Sequence, residues 1–223
     1  MTSGSFDLVD GLACADFHGQ LFAALDELWI RVEILGEPFD LGESPAFADD
    51  RVHCSYDADA ARRFVQVLGD TERVLAEFAG RFDGKTSPTQ FFWHSFDLAH
   101  ARYSGRPARI PEGADRVTAE AYSHEVIAFG FWPGDARQTP YPAFYSYTAP
   151  EPVGLADRPL QPTASAVWTD TGHGHLAVLP YEEVRTSPDP HATLLAFYES
   201  AYAAGSAAAE WDVEALAARV GTV

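Results

Sequence analysis

Residues 87–106, SPTQFFWHSFDLAHARYSGR, place two histidines (His94, His100), an aspartate (Asp97) and two arginines (Arg102, Arg106) among aromatic and small side chains. A second run, AYSHEVIAFGFW at 121–132, adds His124 and Glu125. Two carboxylates held close together split their pKa values and supply an acid and a base at neutral pH. A carboxylate beside an imidazole orients it as a general base. On these grounds Asp97, Glu125 and His124 are the candidate catalytic groups, provided the two runs are neighbouring strands. Arg102 is the candidate for orienting an anionic group, and His53, Trp93, His94, Tyr145 and Trp132 are candidate ligand-binding residues. The competing reading is structural: Arg102 and Arg106 are near enough in sequence to neutralise a buried Asp or Glu.

Other chemistries are poorly supported. His94 and His100 are six residues apart, about 20 Å along a strand, too far to share one ion. His173 and His175 are two apart but lie on a turn signal, and HExxH is absent, so no metal is expected. GxSxG, GxGxxG and the P-loop pattern are also absent, and no cofactor is implied. The two cysteines, Cys14 and Cys54, show no metal or disulfide spacing. A formal charge of −18 argues against nucleic acid or an anionic membrane as partner, because such binding relies on Lys and Arg. Five of the fifteen basic residues nevertheless fall between positions 81 and 109, a cluster suited to a carboxylate or phosphate, or to pairing with the plentiful Asp and Glu.

The elements that must position these groups follow from hydrophobic periodicity. Helical spacing predicts a first helix over residues 12–28 and a long one from an Asp57 cap to about Phe82. Alternation predicts strands over residues 29–35, 87–106, 123–132 and 143–148, and a hairpin about TGHG at 171–174. Gly130, between Phe129 and Phe131, marks a bulge or a close backbone approach. Residues 181–185 read as a connector, 189–204 as an amphipathic helix and 211–219 as a short last one. Strands flanked by helices, without regular alternation, point to an α+β fold with a largely antiparallel, curved sheet of about five or six strands. An open sheet with helices on one face is the alternative. One domain accounts for all 223 residues, and the lack of a signal peptide or long apolar span places the chain in the cytoplasm.

The phrases VHCSYDADAARRF (52–64), PTQFFWHSFDLAHARYSGRPA (88–108), AYSHEVIAFGFWPG (121–134) and AFYSYTAPEP (143–152) resemble a bacterial family catalogued as domain of unknown function 5996. The resemblance implies kinship but no activity. Members of that family usually carry an additional N-terminal portion, so the chain reads as a shortened member whose exposed cavity or edge would be met by a larger ligand or a homodimer. Three functions are compatible with these residues. The first is a cofactor-independent enzyme acting on a small, partly apolar molecule by isomerisation, cyclisation or hydrolysis. The second is a small-molecule binding protein without chemistry, and the third a structural or interaction module.

Overall fold

The structure is a computed structural model that describes residues 4–38, 44–110, 112–135 and 139–218. It separates into two compact units, residues 1–67 and 68–223.

In the first unit, α1 (Cys14–Glu27) starts where three backbone amides, those of Gly11, Cys14 and Ala15, donate to the carbonyls of Tyr56, His53 and Asp50. It ends at Trp29, which takes a left-handed φ of 59°. The strand expected over residues 29–35 does not form. Ile30, Val32 and Ile34 do alternate, yet all three are exposed, and among the described residues the segment has no ladder partner. Alternation only makes a segment suitable for a sheet, and a neighbouring strand has to complete it. The helix α2 (Ala58–Ala79) begins as expected, with Asp57 accepting from the Ala60 amide at 2.6 Å and Asp10 from the Ala58 amide at 2.8 Å. It runs on into the second unit, where Thr71, Val74, Leu75 and Phe78 are buried at the i, i+3, i+4, i+7 spacing of one helix face.

The second unit is built on an open, six-stranded antiparallel sheet, β1 (Gln90–Phe92), β2 (Asp97–Pro107), β3 (His124–Trp132), β4 (Ala143–Ala149), β5 (Val167–Asp170) and β6 (His175–Pro180). Its spatial order is β1-β2-β3-β4-β6-β5, and helices precede and follow it, which makes the fold α+β. Residues 87–106 are not one strand. The chain reverses between β1 and β2 through Trp93–His94–Ser95–Phe96, with Phe96 at φ 60° and its amide donating to the Phe92 carbonyl at 2.7 Å. The reversal moves His94 and Trp93 out of any strand and pairs Phe92 with Asp97.

Four short or long helices complete the unit: α3 (Arg116–Ala121), α4 (Tyr181–Arg185), α5 (Pro190–Ala208) and α6 (Val213–Leu216). The expected connector at 181–185 is therefore a helix. Aspartates cap three of the four, Asp115 before α3, Asp189 before α5 and Asp212 before α6. Part of the acidic surplus thus serves orphan amides at helix starts.

Because strand side chains alternate, β2, β3 and β4 send one set to each face of the sheet. The helix-covered face carries Leu98, Ile127, Phe129, Phe131 and Phe144 against Phe78, Phe197 and Tyr198, all buried. Phe78 and Phe129 meet edge to face with centroids 4.7 Å apart. α5 lies close to the sheet at Gly205, where a Cβ would fall 2.9 Å from Ile127 Cδ1. No described helix is long and apolar enough to cross a membrane.

Candidate functional site

The opposite face of the same three strands holds a pocket of about 270 Å³, just below the roughly 300–1,000 Å³ usual for ligand sites. From β2 come Asp97, Ala99, Ala101 and Tyr103, from β3 Val126 and Ala128, and from β4 Tyr145 and Tyr147. Phe92 and Gln90 of β1, Ser95 of the turn and Tyr122 after α3 close its sides. His100 also borders it, although its ring packs edge-on to Phe78 on the helix side, centroids 6.2 Å apart.

Asp97 is the chemical centre of this pocket. It is only 8% exposed, and it accepts hydrogen bonds from the Ser95 and Tyr145 hydroxyls, one on each carboxylate oxygen. Among the described residues no cation pairs with it. Tyr145 reaches Asp97 from two strands away, since the ladder pairs Tyr145 with Gly130 and Gly130 with Ala99. The phenol crosses β3 directly over Gly130. A Cβ there would lie 2.6 Å from Tyr145 Cζ and would also collide with the Leu98 carbonyl, so the close approach expected at Gly130 is what the structure has. Tyr147 stacks on Tyr145, with rings 8° from parallel and centroids 6.4 Å apart, and its hydroxyl lies 3.3 Å from that of Tyr122. Burial raises the pKa of Tyr145 well above the usual 10, with the negative charge of Asp97 adding to it. Tyr147 and Tyr103 are raised too, chiefly by burial. At neutral pH these tyrosines are therefore uncharged and serve as hydrogen-bond donors and acceptors rather than bases.

The other sequence candidates are dispersed. Asp97 and Glu125 are not neighbours: β2 runs antiparallel to β3 with Leu98 opposite Phe131, so Asp97 lies at the Trp132 end and Glu125 near the other end, roughly 20 Å away. Glu125 is held by Arg106, through Nε at 3.0 Å and Nη2 at 2.7 Å, and Arg106 also donates to the carbonyls of Ala209 and Glu210 past the end of α5. That is a clamp between sheet and helix. His124, at the same end, has Nδ1 3.1 Å from Ser123 Oγ. Trp132 donates from Nε1 to the Ser95 carbonyl at 3.1 Å and so braces the turn that carries Ser95. Trp93 and His94 are exposed in that turn. His53 belongs to the first unit, with Nδ1 2.6 Å from Asp50 Oδ2.

Arg102 faces the helices and is 1% exposed. Its guanidinium carbon lies 3.4 Å from the ring centre of Phe78, 4.5 Å from Tyr202 and 5.0 Å from Phe82, and Nη2 donates to the Phe78 carbonyl. Three ring faces take the place of a carboxylate. Burial pushes its pKa down to about 10, which leaves it charged at neutral pH.

Of the nine sequence candidates the structure brings together Asp97 and Tyr145. It adds Ser95, Tyr103, Tyr122 and Tyr147 to them. Tyr145 and Tyr147 share a face because they are two apart in AFYSYT, and that spacing is the signal that identifies the second tyrosine once the first is chosen. Tyr122 carries no such signal, because it comes from a helix end. Among the described residues no group of three or more His, Cys, Asp or Glu is arranged to hold a metal ion.

A family model described as "Family of unknown function (DUF5996)" matches residues 1–218. The chain belongs to the DUF5996 family. No curated protein and no solved structure matches it. Within this DUF5996 protein, functional evidence comes from the geometry of the pocket.

Proposed function

We propose that the Asp97 pocket is the site of a cofactor-independent enzyme that moves a proton on a small, partly apolar molecule. The observation that carries this reading is a carboxylate 8% exposed on the wall of a cavity, held by hydroxyl donors and, among the described residues, with no cation to neutralise it. Each Asp97 oxygen keeps lone-pair capacity beyond the one hydroxyl it already accepts. Asp97 is the base that takes a proton from the ligand. Tyr145, neutral and anchored over Gly130, stabilises the carboxylate and fixes its orientation. A proton resting on Asp97 in a cavity with apolar walls can return to another atom of the same molecule, which is the requirement for isomerisation or cyclisation. In this reading Glu125 and His124 take no part in the chemistry.

The test is a ligand-observed NMR screen of small molecules with one polar head, in which Ala128→Leu, whose added bulk enters the cavity, identifies the pocket-dependent hits. Each hit is then incubated with the protein in D2O and C–H to C–D exchange is followed by mass spectrometry. Asp97→Asn is expected to reduce exchange by about 100-fold or more at saturating ligand, the scale of a lost general base. Pocket-dependent binding without exchange would leave the non-catalytic binding protein as the function. A lack of pocket-dependent hits would overturn both.

A further inference from the structure

Resting on the reading of this pocket as a small-molecule site, we infer that its ligand is a small organic cation, a protonated amine or amidine joined to an apolar body. The argument starts from the polar atoms that face the cavity. Asp97 contributes one negative charge and is more than nine-tenths buried. The Ser95 and Tyr145 hydrogens already point at Asp97, so the remaining capacity of both hydroxyls is acceptor lone pairs. The Ser87 hydroxyl accepts from the Ala101 amide at 2.8 Å. The Tyr122 and Tyr147 hydroxyls face each other. The wall around Asp97 therefore offers acceptors and one charge, while neutral donors remain elsewhere on the lining, on Ser87, Gln90, Tyr103 and one of the Tyr122–Tyr147 pair; the group the Asp97 end lacks is a cationic donor.

Every charged or titratable neighbour bears on this balance. Arg102 is sequestered on the far face of β2 by its aromatic rings, and the ring of His100 lies there too. Burial, with the charge of Arg102 behind it, pushes the pKa of His100 down to about 4, so it brings no positive charge at neutral pH. Lys85, the single lysine of the chain, is exposed with Nζ 5.1 Å from the ring centre of Tyr103. Its position shows a tyrosine of this wall already receiving a cation on its face. A buried carboxylate lacking a cation is costly, and a ligand ammonium would recover that cost as an ion pair in a low-dielectric site. The parallel faces of Tyr145 and Tyr147 add cation–π attraction and apolar surface. A volume of about 270 Å³ equals roughly nine waters at ~30 Å³ each, enough for a single substituted ring and too little for a nucleotide.

Benzylamine, benzyl alcohol and benzoate have nearly the same shape and differ in charge, so calorimetric titration of all three against the full chain tests the inference. Benzylamine is expected to bind at least about tenfold more tightly than benzyl alcohol, and benzoate not to bind. Asp97→Asn should weaken benzylamine by about tenfold or more and leave benzyl alcohol within about twofold. Ala128→Leu should remove binding of both. Where Asp97→Asn fails to fold, the ranking of the three probes on the unaltered protein decides. Equal or tighter binding of the alcohol or benzoate, sensitive to Ala128→Leu, overturns the cationic ligand and leaves the small-molecule site standing. Absence of benzylamine binding overturns the inference as well, and the wider NMR screen then decides the site by itself.

Discussion

On one face of β2 the Asp97 carboxylate takes hydrogen bonds from two hydroxyls beside a cavity, and on the other the Arg102 guanidinium lies against three aromatic rings and one carbonyl. Five residues along one strand, the chain buries charges of opposite sign by different means. An anion has to be met by directional donors, which occupy part of its coordination and leave the rest for a newcomer. A guanidinium can be met by ring faces that surround it and exclude everything else. The first arrangement suits a site and the second suits a core.

The comparison breaks most visibly at Arg102. Arg102→Ala leaves a void ringed by Phe78, Phe82 and Tyr202 and should cost about 4 kcal/mol in urea unfolding, whereas Arg102→Met fills the space with apolar atoms and should cost less than about 1.5 kcal/mol. A cost for Met as large as that for Ala would mean that the charge, rather than the packing, holds the helices on the sheet.

The next effect belongs to His100, whose two ring nitrogens are buried beside Arg102 and, among the described residues, have no hydrogen bond of good geometry. Its folded pKa, about 4, is below the ordinary 6.5, so between these values the unfolded chain binds a proton that the folded chain refuses. Its contribution is intact above pH 6.5, falls as the pH drops below that, and is lost by about pH 4, a change on the order of 3 kcal/mol. His100→Leu should remove that part of the acid sensitivity in denaturation curves recorded between pH 7 and 4. An unchanged pH profile would show that His100 finds room to protonate in place.

The smallest effect tests the pocket side. Tyr145→Phe keeps the ring over Gly130 but deletes a donor to Asp97, and about 1 kcal/mol of stability should be lost, because the cavity lets water take over the vacant lone pair. A loss several times larger would mean that water does not reach Asp97, and the face would then resemble the Arg102 side.

The sequence made most elements legible, for reasons that differ along the chain. The long helix was readable from its apolar stripe and from Asp57, and β3, β4 and the β5–β6 hairpin from alternation and the TGHG turn. The reversal at 93–96 was hidden because Trp93 and Phe96, aromatic groups that favour strands, are turn residues that remain exposed. The segment at 29–35 misled for the converse reason, having the pattern of a strand without a neighbour. Residue type pointed to Asp97 and Tyr145, and Gly130 announced a close approach, but only the β2–β3–β4 register reveals that the glycine lets one reach the other. That same register separates Asp97 from Glu125. Pairing register depends on long-range packing that one sequence does not spell out.

The outermost strands of the sheet, β1 and β5, are three and four residues long, while β2 in the interior has eleven. A second chain seeking to extend the sheet through β1 or β5 would meet a strand of only three or four residues. Together with a charge of −18, which makes copies repel one another, this works against the edge-to-edge growth that leads to fibrils. Trp93, Phe92 and Phe96 are thus exposed at the tip beside the shortest strand without offering a partner chain a long edge there.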